Sequence, residues 1–152
     1  MEYKLILYPN DILNQVSATV DSFEKELKDQ VNAMIKIMKD NNGIGLSAVQ
    51  VGVLNQVIVM DTTEKDAVNG FKGCIINPVI MRRGTVKREH EEMCLSFPGV
   101  KIKTKRSIEV SIKYKNLGGK VQFTTLKGIS AICFLHEYDH LQGETFLKFK
   151  GH

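Results

Sequence analysis

The sequence predicts an α+β fold. Two helical patterns lie toward the ends of the chain, β-rich runs lie between them, and the βα alternation that builds a parallel sheet is absent. The first helical pattern spans about residues 22 to 40. Phe23, Leu27, Val31, Ile35 and Met38 recur at helical spacing with Met34 beside them, so they form one stripe. Asp21 can cap its start, with Glu24 three residues on in the capping-box position. Asn41-Asn42-Gly43 ends it.

The middle of the chain reads as strands. One β-rich run covers residues 53 to 60 and ends at Asp61. Another covers residues 74 to 81, where Asn77-Pro78 implies an edge or a bend. Two further strands, SIEVSIKYK and KVQFTTL, flank the turn Asn116-Leu117-Gly118-Gly119. The second helix runs from about residue 127 to 141, and Gly143 is a natural residue to follow its end.

Size and composition narrow the function classes. The 152 residues fit one domain, residues 1 to 152, with enough burial to fold without staples. Apolar residues make up 43% and charged residues 25%, ordinary globular usage that sets disordered and collagen-like classes aside. No apolar run approaches the ~20 residues of a membrane span, and the start MEYKLILYPN lacks the pattern of a secretory signal. Three widely spaced cysteines, Cys74, Cys94 and Cys133, do not form a disulfide framework and suit a reducing compartment. The net charge of +4 is uneven: residues 1–99 balance at −2 and residues 100–152 at +6. Lys101, Lys103 and Lys105 alternate and so share one face of a strand. A solvated face is the favoured reading of that run, ahead of a footprint for an RNA-rich partner.

The strongest chemical signal is His136-Glu137-Tyr138-Asp139-His140, which lies within the second helix. Residues four apart project from one helical face, so His136 and His140 can share a metal ion. Glu137, one position round, can reach a water there without being a ligand, as a general base must. A catalytic site usually has a third protein ligand and an open position. Candidates for the third ligand are Cys94, His90, Glu91, Glu92 and Asp139. Asp139 points about 100° away from His140 and suits a supporting role better.

Three segments carry a family resemblance. Gly43-Ile44-Gly45-Leu46-Ser47-Ala48-Val49-Gln50, Glu92-Met93-Cys94-Leu95-Ser96 and His136 to His140 resemble, in order, the three motifs of the peptide deformylases. The resemblance implies mostly antiparallel sheets packed around a central helix carrying the HExxH motif, with one N-terminal helix. It implies that Cys94, His136 and His140 bind a divalent metal, iron(II) being favoured in the cell, with zinc, nickel or cobalt able to replace it. Glu137 would act as base and then acid in removing the formyl group from N-formylmethionyl peptides, while Gln50 and the Leu95 N–H stabilise the oxyanion. Ile44, Gly45, His90, Ile129, Ile132 and Cys133 match substrate-binding positions, and the pocket they line should be apolar. Glu92, Arg106 and Asp139 would support the ligands from behind. The expected protein is a cytoplasmic monomer (in a bacterial host's cytoplasm if phage-encoded), with transient ribosome contact but no membrane or specific nucleic-acid partner.

Two departures from the motifs bear on function. Ser47 stands where the family has Ala, and Met93 where it has Gly. A Met at positive φ would be strained, whereas in a regular strand its side chain faces away from Cys94 and can line the entrance. Only 12 residues follow His140, which brings ribosome docking through a longer C-terminal helix into question. Another HExxH peptidase and an inactive or altered-specificity deformylase relative are the competing readings.

Overall fold

A computed structural model describes residues 2–151. Helix α1 is Lys25–Asp40. It precedes strand β1 (Gly45–Ser47), a 3-10 turn (Ala48–Val51) and strands β2 (Val57–Asp61) and β3 (Lys72–Arg83). Strands β4 (Lys87–Cys94), β5 (Phe97–Ser107), β6 (Glu109–Lys115) and β7 (Val121–Lys127) follow, then helix α2 (Ile129–Leu141) and a last 3-10 turn, Phe146–Phe149. Five strands form an antiparallel sheet in the order β1-β2-β3-β6-β7, and β4 pairs with β5 as a separate hairpin.

The pleat of β2 shows how the layers stack. Successive strand residues face opposite sides. Val57 and Val59 join Leu27, Val31, Met34 and Met38 of α1, while Ile58 and Met60 join Phe134, Leu135 and Leu141 of α2. All four β2 residues are buried, so the sheet lies between the two helices. The β4–β5 hairpin and the last 3-10 turn close over the remaining side of α2, where Phe97, Ile102 and Phe146 form a third cluster with Cys94. Almost every α2 side chain is consequently buried. Strand β7 is one of the two outer strands of the sheet, the other being β1, and Val121 and Phe123 on it are exposed.

The second helix ends as its sequence demands. Gly143 takes φ +75°, its N–H bonds the carbonyl of His140, and the Glu144 N–H bonds that of Asp139, the two bonds of a Schellman motif. The expected bend in β3 is also present: Asn77 has φ +51° and the pairing with β6 shifts register between Ile76 and Val79. This strand is interior rather than an edge.

Both helices start later than the sequence reading has them, and the run expected over residues 53 to 60 becomes strand only from Val57. The first helix starts at Lys25, with Glu24 rather than Asp21 at its cap and no side-chain cap bond. The Asn77 amide accepts from the Val20 N–H and donates to the Val20 carbonyl, which pins that segment as extended chain ahead of the helix. The second helix starts at Ile129, because Gly128 (φ +58°) turns the chain out of β7. Strand β5 includes Pro98-Gly99, and the hairpin turns at Leu95-Ser96. Proline is tolerated near the start of such an edge strand.

A Cβ at Gly143 would lie 2.7 Å from the carbonyl oxygen of Asn14 as well as at positive φ. Gly143→Ala is therefore expected to cost about 2 kcal/mol, roughly 4–8 °C in Tm. A thermal melt of the variant superimposing on that of the parent would contradict this account of the helix end.

Candidate metal centre

Strand β4 and helix α2 bring three candidate ligands together. Ligand atoms of Cys94, His136 and His140 all lie within 4.8 Å of one another, and the three residues are buried. His140 Nε2 is 3.5 Å from Cys94 Sγ. His136 Nδ1 bonds Glu92 Oε1 at 2.7 Å, which leaves its Nε2 for a cation. All three cysteines of the chain are free thiols.

Behind His136 lies a buried network of charges. Arg106 bonds both oxygens of Glu92 through Nε and Nη2, and reaches Asp139 Oδ2 through Nη1 at 2.9 Å. The Thr104 hydroxyl donates to Glu92 at 2.7 Å. Lys148 in the last 3-10 turn bonds the other Asp139 oxygen at 2.9 Å, and Phe149 stacks under the Arg106 guanidinium. Burial alone would raise the Glu92 pKa. Hydrogen bonds from His136 and Arg106, with their charges, outweigh it and hold the carboxyl well below the usual range.

Glu137 lies in the opposite situation. It is buried, its Oε1 has no hydrogen-bond partner, and burial pushes its pKa up to about 7 against the opposing charge of His136. Gly45 of β1 packs directly on it: a Cβ there would lie 2.6 Å from Cys133 Sγ and 2.9 Å from Glu137 Oε2. Burial pulls the His136 pKa down, but bonding to Cys94, the Glu137 charge and the Glu92 bond raise it well above the ordinary value. Burial and the charge of His136 lower that of His140.

Gln50 comes from the 3-10 turn that follows β1. Its Oε1 accepts from the Ser47 N–H and the Ser47 hydroxyl, each at 3.0 Å. Its Nε2 therefore faces inward, donating to Ser96 Oγ at 3.1 Å and lying 3.5 Å from Cys94 Sγ. Leu95 occupies the two-residue turn between β4 and β5, outside the strand ladder. Met93 sits at the register shift just before Cys94, without positive φ and 68% exposed, so its side chain is unstrained and turned to solvent.

The remaining candidates are more scattered. Ile44 and Cys133 pack in the cluster against α2. Ile132 is buried on the helix. His90 Nε2 lies 3.4 Å from Glu92 Oε2 without hydrogen-bond alignment. Ile129 lines a cleft of about 770 Å³ whose walls also carry Arg82, Arg88, Glu109 and Lys127, so its surroundings are more charged than an apolar pocket. Lys101 and Lys103 pair with Glu91 and Glu89 on an exposed face. Sequence reading missed Ser96, Thr104 and Lys148. Ser47-x-x-Gln50 carried a capping-box signal that went unread.

Two imidazoles, a cysteine sulfur and an unpaired carboxylate converging on an HExxH helix define a metal-dependent hydrolase. The donor set suits a divalent transition metal, and the orphaned Glu137 oxygen suits a water beside it. The family profile of polypeptide deformylase matches residues 2–149. A peptide deformylase of Aquifex aeolicus is 39% identical over 148 residues, 97% of this chain and 87% of that protein. Two crystal structures resemble the fold. The peptide deformylase of Thermotoga maritima has a TM-score of 0.89 at 31% identity, covering 98% of this chain and 97% of that one. That of Ehrlichia chaffeensis, in complex with actinonin, has a TM-score of 0.91 at 33% identity, covering 96% and 87%. The chain belongs to the polypeptide deformylase family.

Two outcomes follow from these charges. A proton on His136 competes with any cation for the site, so zinc binding at pH 7 should release at least one proton and weaken as pH falls. Calorimetry in buffers of different ionisation enthalpy measures this, and a heat independent of buffer would refute it. Glu92→Gln should destabilise the metal-free protein by about 3 kcal/mol at pH 7, since it leaves Arg106 under-compensated. The folded pKa of Glu92 lies well below the unfolded value of ~4.3, so its stabilisation is full above that pH and is lost progressively as pH falls from there toward the folded value. The gap between parent and variant in urea unfolding should accordingly shrink toward pH 3, and a constant gap would exclude this role.

Proposed function

We propose that this member of the polypeptide deformylase family hydrolyses the N-formyl group of N-formylmethionyl peptides, releasing formate, and that its own residues divide the work as follows. Cys94, His136 and His140 hold a divalent cation. Bound there, the cation supplies Lewis acidity that makes water nucleophilic near neutral pH. Glu137 takes a proton from the water attacking the formyl carbon and returns one to the leaving amine. The observation that carries this reading is the buried, unpartnered Glu137 carboxylate, pushed to about 7, beside the three convergent ligands.

The tetrahedral intermediate carries negative charge on the former carbonyl oxygen. The inward N–H of Gln50 and the Leu95 backbone N–H donate to it, and each such donor is worth about 3–4 kcal/mol of barrier. Strand β1 ends the sheet, so an extended peptide adds there as a further strand, while the absence of a Cβ at Gly45 leaves room for Glu137 and Cys133. Ile44, His90, Ile132 and Cys133 receive the methionine side chain, exposed Met93 stands at the entrance, and Ile129, which lines the charged cleft, is left out of this pocket. Glu92, backed by Arg106 and Asp139, fixes the tautomer and orientation of His136. Iron(II) is the ion we assign in the cell, and zinc, nickel and cobalt suit the same donors. We place the reaction in the cytoplasm, on nascent chains in transient contact with the ribosome, with the protein as a monomer. The inactive-relative reading rested on Met93, which is unstrained.

Protein purified without oxygen should deformylate formyl-Met-Ala-Ser and leave unformylated peptides intact, and Glu137→Ala should lower kcat at least ~100-fold. Cleavage of unformylated peptides would favour a peptidase, and no activity after loading with iron(II), nickel or cobalt would sink the proposal.

A further inference from the structure

We propose that the Ser47 hydroxyl is a positioning group for catalysis that acts through Gln50, an inference resting on the oxyanion role given to Gln50 above. Ser47 is fully buried, and its Oγ lies 3.0 Å from Gln50 Oε1. The only chemistry open to that contact is donation by the hydroxyl, because the carbonyl oxygen of an amide cannot donate. The Ser47 N–H donates to the same oxygen at 3.0 Å. Two donors thus fill the two acceptor positions of Oε1, and rotating the amide by half a turn would set its NH2 group against the Ser47 N–H.

The consequence lies at the other end of the amide. Nε2 has two hydrogens. One is committed to Ser96 Oγ at 3.1 Å, and the other points toward Cys94 Sγ, 3.5 Å away, on the side of the candidate metal ligands. Hydrogen bonds to a carbonyl oxygen polarise the amide and strengthen its N–H groups as donors, an effect enlarged where water is excluded. Gln50 itself is 1% exposed. An alanine, the usual residue of the family pattern, would keep the backbone N–H contact and lose the hydroxyl. This chain therefore holds the amide by one more bond than the motif requires.

The deletion should be felt in the transition state, where negative charge meets the Nε2 proton, more than in substrate binding. With nickel-loaded protein and formyl-Met-Ala-Ser, Ser47→Ala is expected to lower kcat by roughly 3–10-fold, the worth of one hydrogen bond, with KM within about twofold. Because Ser47 also starts the 3-10 turn, its loss could act through stability alone, and a Gln50→Ala background separates the two. There Ser47→Ala should change kcat by less than about 1.5-fold. An equal loss in both backgrounds, or no loss in the parent, would overturn the proposal. A second readout needs no turnover. In the zinc-loaded protein, the Gln50 side-chain amide protons should exchange with solvent severalfold faster in Ser47→Ala, as followed by NMR, and an unchanged rate would overturn the positioning role. A parent inactive with every metal would defeat the deformylase reading, while the exchange rates would still decide whether Ser47 holds Gln50.

Discussion

A helix that is apolar on nearly all sides has to be enclosed, and this constraint organises the molecule. Helix α2 takes the sheet on one side and the β4–β5 hairpin on the other. Enclosure also buries its polar residues. A charge without water needs a partner, and the fold answers with a continuous set: Glu92 on His136, Arg106 between Glu92 and Asp139, and Lys148 closing the far end. The hairpin that shelters the helix is thus also the element that delivers Cys94 and Glu92. Packing and chemistry here have one geometric cause.

Among the buried carboxylates of this site Glu137 is the exception. Two buried carboxyls lie on either side of His136, and their environments drive them apart. Glu92 is held ionised by a guanidinium and a ring N–H, and Glu137 is raised by burial with one oxygen left without a partner. Pairs of titratable groups separated in this way mark a division of roles. One carboxylate is kept ionised behind a candidate ligand, and the other has the raised pKa that the proposed proton transfer requires.

The local signals that sequence carries were those that short-range geometry fixes. The i, i+4 spacing of His136 and His140, the stripe on α1, the turn at Asn116 to Gly119 and the stop at Gly143 all follow from nearby residues. The errors arose where distant contacts decide. Asn77 holds Val20 from across the fold and delays α1, and nothing near Asp21 announces it. Cys94 is 42 residues from His136, so residue chemistry alone left the third ligand open among five candidates. Lys148 joins Asp139 through a turn beyond the helix end, and Thr104 reaches Glu92 across the hairpin; neither pairing has a spacing to read. The Ser47–Gln50 contact was within reach, since it is a three-residue pattern at a helix start.

One outer strand of the sheet has a consequence for handling the protein. Strand β7 presents one side of its backbone without a neighbouring strand, and it carries Phe123 at 70% exposure and Val121 at 47%. Such an edge is a template for intermolecular pairing and fibre growth. Lys120 and Lys127 bracket it, and a second molecule docking edge to edge would bring like charges together. Resistance to association through this edge therefore rests on two lysines, and high salt, which screens them, weakens that protection.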